Sequence, residues 1–131
     1  MGRATRNRPG QLAERRYTVR IDTKESYHAV IITLRGKVMG GPDTTKFHKT
    51  IKTFIDQKKT HFVVDLGNVS WMSSTGLGML ITGLTSTRNA GGELVVARPT
   101  KKIKTLFIVT QLETIFKTFS SVEAAAKSLA P

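Results

Sequence analysis

Three consecutive hydroxyl residues, Ser73, Ser74 and Thr75, stand between Val69-Ser70-Trp71-Met72 and Gly76-Leu77-Gly78. An apolar strand precedes this run and an amphipathic helix follows it. The hydroxyls therefore fall at a helix N-terminus, beside free backbone N–H groups and the positive end of the helix dipole. A hydroxyl in that place can cap the helix, act as a nucleophile or accept a phosphate. The companions of a nucleophile are missing. A nucleophile elbow reads Gly-x-Ser-x-Gly with an acid and then a His later in the chain. Here two serines precede Thr75, and His28, His48 and His61 all come before the run. Gly76-Leu77-Gly78 opens like a dinucleotide fingerprint, but Ile81 occupies the third glycine position and no Gly-Lys-Ser/Thr exists. The histidines have no ligand spacing and the chain has no cysteine. No catalytic residue, metal or cofactor is expected, so capping and phosphate acceptance remain.

The elements that must position this run follow from periodicity. Tyr17, Val19 and Ile21 alternate with polar residues as a half-buried strand does, and residues 28–34 (HAVIITL) form a second, central strand. A polar turn at 23–26 makes the two an antiparallel hairpin. Residues 35–42 (RGKVMGGP) break regular structure, after which Asp43, Thr44 or Thr45 caps a helix with Phe47, Ile51, Phe54 and Ile55 on one face. Residues 62–66 form a short strand and 67–74 a loop. Leu77, Leu80, Ile81 and Leu84 stripe the next helix, which stops at Gly91-Gly92. A strand at 94–97, a short helix over 100–109, a strand at 115–119 and a final helix capped by Ser120 with Glu123 complete the chain. Strand–helix–strand units imply parallel pairing with right-handed crossovers. The expected fold is α/β: a mostly parallel sheet of about five strands with four helices. Trp71 and Met72 stand just before the hydroxyls. One of them is expected to be buried, and nothing local says which.

Composition bounds the rest. The 131 residues suit one domain, read as 17–131 behind a disordered basic tail at 1–16. No apolar run approaches a membrane span, and the Arg-rich start lacks the apolar stretch of a secretory signal, so a cytoplasmic location is expected. The balance of 21 Lys+Arg against 9 Asp+Glu is strongly basic, with Arg3, Arg6, Arg8, Arg15 and Arg16 in the tail. No nucleic-acid motif or interleaved aromatic residue accompanies the charge, so DNA binding is not expected. Membrane or nucleic-acid contact is left to the tail.

Val69-x-Trp71-Met72-Ser73-Ser74-Thr75-Gly76-Leu77-Gly78 resembles the signature of STAS domains, specifically the anti-sigma factor antagonists. The likeness extends over roughly 17–130, through Leu34-Arg35-Gly36, Val64-Asp65-Leu66 and Gly91-Gly92. The resemblance implies a STAS fold and a binding protein rather than an enzyme. Its partner would be an anti-sigma factor that is also a serine/threonine kinase. That kinase would phosphorylate the hydroxyl residue before Gly-Leu-Gly, here Thr75, with Ser74 as second choice. Phosphate would end the binding, and a PP2C-type phosphatase would restore it. The implied contact residues are Met39, Gly40, Trp71, Met72, Ser73, Ser74, Thr75, Gly76 and Leu77. Two departures bear on the partner. Ser73 stands where the family commonly has Asp, and Gly36-Lys37-Val38-Met39 stands for a usual Gly-Glu-Leu-Asp. A more acidic or more apolar partner surface is therefore expected. The same fold also serves as a non-switched scaffold or adaptor, in stressosome-like or lipid-transport assemblies, and that is the alternative.

Overall fold

The computed structural model describes residues 19–26 and 28–131. The tail at 1–16 and the start of the first strand at Tyr17 and Thr18 lie outside the described residues. Strand β1 (Val19–Ser26) pairs antiparallel with β2 (Ala29–Val38). Helix α1 (Pro42–Asp56) leads to β3 (His61–Met72), α2 (Ser74–Asn89) to β4 (Glu93–Ala97), and α3 (Lys101–Val109) to β5 (Thr118–Phe119), each new strand parallel to the one before it. Helix α4 (Val122–Ser128) closes the chain. The sheet runs β1-β2-β3-β4-β5, in sequence order. When successive parallel crossovers share one hand and the strands advance in one direction, the crossover helices must lie on one face. Accordingly α1, α2 and α3 cover the same side. Phe47, Ile51, Leu80, Leu84, Ile103 and Phe107 pack there against Ile32, Leu34, Val64, Leu66 and Val96. Burying each of these side chains stabilises the fold by about 2 kcal/mol. Helix α4 is not a crossover and takes the other face, where Ala125 and Ala126 meet Ile31, Val63, Val95 and Ala97.

The expected α/β fold, a mostly parallel five-stranded sheet with four helices, is the one observed among the described residues. Several boundaries differ, and the longest differences surround the hydroxyl run. The segment 67–72, expected as loop, continues β3 through Met72, and 35–38, expected as a break, continues β2 through Val38. Each supplies the other's hydrogen-bond partner, with Arg35 opposite Asn68 and Val38 opposite Met72. The register slips twice, so β3 carries an extra residue near Gly67 and another at Ser70. These are β-bulges, which bend a strand and re-aim its side chains. Pairing likewise carries β1 through 23–26, where a turn was expected, so that His28 stands in the turn before β2 and not in the strand. The last strand shrinks to Thr118–Phe119, because Leu112–Thr114 winds as a 3₁₀ turn and Ile115 is left exposed. Helix α1 begins at Pro42 behind Gly41, two to four residues earlier than a cap at Asp43, Thr44 or Thr45 would allow. Proline suits the first helical position because its missing N–H has no intrahelical partner there. In α4 the cap is Ser121, which accepts from Ala124 N, and Glu123 pairs instead with Lys127 at 3.0 Å.

Candidate functional site

The hydroxyl run sits where the C-terminal ends of β2 and β3 meet the start of α2. Ser73 is the cap. Its Oγ accepts from Gly76 N at 3.0 Å and donates to Met39 O at 3.1 Å. Its backbone N donates to Val38 O at 3.0 Å, and its carbonyl accepts from Leu77 N at 2.9 Å. One residue therefore ties the first turn of α2 to the end of β2. An ionised carboxylate at position 73 could accept from Gly76 N but could not donate to the Met39 carbonyl. Serine thus makes a bond that an ionised aspartate there would not. Ser73→Ala is expected to cost about 1–2 kcal/mol, read as a lower urea midpoint with an unchanged slope. Parent-like stability in that variant would contradict this capping role.

With Ser73 serving the helix, Ser74 and Thr75 are left exposed, and their hydroxyls make no hydrogen bond among the described residues. Thr75 is nevertheless held. Its methyl lies against Gly40, where an added Cβ would collide with Thr75 Cγ2 and come within 2.9 Å of its Cβ. Gly40 also holds φ at 81°, which glycine adopts freely. A β-branched side chain braced this way has little χ1 freedom, so the direction of the Thr75 hydroxyl is set. Gly76 is buried for a steric reason as well, since a Cβ there would run into the Val38 carbonyl.

The bulge at Ser70 decides between Trp71 and Met72. It interrupts the in–out alternation, so Ser70 and Trp71 both point outward and Met72 inward. Trp71 is 37% exposed and Met72 1%. Met39, 41% exposed, lies at the end of β2. Of the residues expected at the contact surface, Met39, Trp71, Ser74 and Thr75 are exposed and Ser73 is half-buried. Gly40, Met72, Gly76 and Leu77 are buried beneath them and support the surface from below.

Sequence reasoning marked Lys37 but missed the lysines of α3 that join it here. Lys102 of α3 lies over the Trp71 ring, its Nζ 5.3 Å from the centroid, and Lys37 is the cross-strand neighbour of Trp71. Lys101, Lys102 and Lys104 occupy the first turns of α3, and neither α2 nor α3 has an acidic residue in its first turn. Cations at a helix N-terminus oppose the dipole. That local disadvantage is the signal that could have singled out these lysines from the sequence. On the opposite face, Arg98 grips the buried Asp65 with two bonds, Nε to Oδ1 at 2.9 Å and Nη2 to Oδ2 at 2.8 Å, while Gly67 N donates to the same Oδ1 at 3.0 Å. The hydrogen bond to Asp65, and then its charge, raise the Arg98 pKa. The pair braces β3 at its first bulge and so helps set the course of the strand toward Trp71.

A profile of the STAS domain family matches residues 20–125. The chain belongs to the STAS domain family. This STAS domain is 24% identical over 104 residues to BtrV of Bordetella bronchiseptica, named as an anti-sigma factor antagonist; the match covers 79% of this chain and 90% of BtrV. The anti-sigma factor antagonist SpoIIAA in its unphosphorylated form has the same fold, with a TM-score of 0.69 at 18% identity over 83% of this chain and 96% of its own. SpoIIAA of Bacillus in its phosphorylated form gives a TM-score of 0.65 at 18% identity, over 83% and 98%. Among the described residues of this STAS domain, no helix is long and apolar enough to cross a membrane.

Proposed function

We propose that this STAS domain is an anti-sigma factor antagonist switched by phosphorylation at Thr75. The observation that carries the reading is the Thr75 hydroxyl itself: exposed, engaged by no other group among the described residues, and fixed in direction by Gly40. Exposed Met39 and Trp71 belong to the same surface, and the first turns of α2 and α3 carry no acidic residue. In this reading the unmodified domain docks on a serine/threonine kinase that is also an anti-sigma factor, and so releases a sigma factor to transcription. Trp71 and Met39 supply the apolar anchors, as large side chains do at interface centres. Lys37 and Lys102 flank Trp71, so the complementary partner surface is acidic. A phosphate on Thr75 adds about −1.5 to −2 charge. The free domain tolerates it, because a helix N-terminus and nearby lysines favour an anion. An acidic partner does not, and docking ends. A PP2C-type phosphatase resets the switch.

The test is incubation with the cognate kinase and ATP, read by intact mass and fragment mapping. One added phosphate on Thr75 is expected. Mapping to Ser74 would move the switch by one residue. No phosphate at either position would favour the scaffold or adaptor reading, with the surface constitutively available.

A further inference from the structure

At the far end of β3 from Ser73, a cavity of about 420 Å³ opens between the β1–β2 turn, the segment after α1 and the first residue of β3. Among the described residues its lining includes His28, Lys58, Lys59 and His61, with Glu25 as the one acid. Lys59 is engaged by Glu25, Nζ to Oε1 at 2.8 Å. The side chains of His28, Lys58 and His61 make no hydrogen bond or ion pair among the described residues. His28 and Lys58 also each hold φ at 65°, in the left-handed region where a Cβ is unfavourable. Glycine would occupy either position without strain, and no hydrogen bond or ion pair among the described residues rewards the side chains present. Strained non-glycine positions concentrate where a side chain serves a ligand. Lys58 and Lys59 also offset the dipole at the end of α1. His28 and His61 come from other elements and have no such role, yet they converge on the same space.

We propose that this cavity binds a small phosphate-class oxyanion, held by the Lys58 ammonium together with ring N–H groups of His28 and His61. Lys58 and Lys59 against Glu25 leave the described lining at +1, the sign an anion requires. The twelve residues of β3 separate the cavity from Thr75 by roughly 35 Å, so an occupant does not touch the docking surface.

Sulfate, a dianion at neutral and mildly acidic pH, is the first probe and inorganic phosphate the second, with the three imidazoles followed by NMR. The His28 and His61 signals are expected to shift saturably while His48 stays still. His28→Gly and Lys58→Gly relieve the strained backbone. Each is expected to keep or raise Tm while weakening anion binding about tenfold or more. Lys58→Arg should retain binding. The proposal is overturned if neither anion gives a saturable shift, or if both glycine variants bind as the parent does. It is overturned equally if vesicles of anionic phospholipid engage these residues while the free anions do not.

Discussion

Thr75→Asp is expected to weaken binding to the partner kinase on the order of 100-fold, while Thr75→Ala stays within about threefold of the parent. The difference rests on where Thr75 stands. Its hydroxyl bonds to nothing among the described residues, so alanine removes only a methyl contact with Gly40. Aspartate adds a charge that an acidic partner must face across the interface. The folded state responds in the opposite sense. A carboxylate in the first turn of α2 meets the positive end of the dipole and stabilises the helix by about 0.3–1 kcal/mol. The aspartate variant should therefore keep or slightly raise its Tm while losing its partner, which separates a switched surface from simple unfolding. Calorimetric titration against the purified kinase, with a thermal melt of each variant, measures both. Equal affinity for the alanine and aspartate variants would sink the switch.

The two glycines of Gly76-Leu77-Gly78 should respond in opposite directions to the same substitution. Gly76→Ala drives a Cβ into the Val38 carbonyl, a backbone group that cannot swing aside. The start of α2 must then lift from the end of β2. The expected cost is about 3 kcal/mol, or roughly 10 °C in Tm, with partner binding lost because Thr75 and Trp71 no longer share one platform. Beyond its own helical turn, nothing lies within 4 Å of a Cβ added at Gly78, and the position is inside a helix. Gly78→Ala should stabilise the domain by up to about 1 kcal/mol through helix propensity alone. Urea unfolding of the pair decides the point. A Gly76→Ala variant as stable as the parent would mean that α2 does not need its close seat on β2.

The sequence revealed the fold more completely than it revealed the surface. The stripes at Phe47 and Ile51 and at Leu77, Leu80 and Leu84 follow a helical period within one segment, and the runs at 28–34 and 62–66 are apolar within one segment. Each signal is carried by neighbours in the chain and was read without knowing what they pack against. The strand ends were misjudged for the converse reason. Residues 35–38 and 67–72 are strand only because each finds the other, more than 30 positions away. Gly36, Gly40 and Gly41 had argued for a break.

By itself, the sequence determined the element order, the mostly parallel sheet, the inward faces of the helices and the arrival of three hydroxyls at a helix N-terminus, because local periodicity and turn chemistry are sufficient for these. Tertiary structure alone decided the division of labour at that terminus. A bulge in β3 turned Trp71 outward and Met72 inward. The Met39 carbonyl made Ser73 the cap and left Thr75 free, and the packing of α3 brought Lys102 over Trp71. The same holds at the other pole, where His28, Lys58 and His61 share one cavity. Each of these outcomes depends on register or contact between segments distant in the chain, and no window of neighbouring residues encodes it.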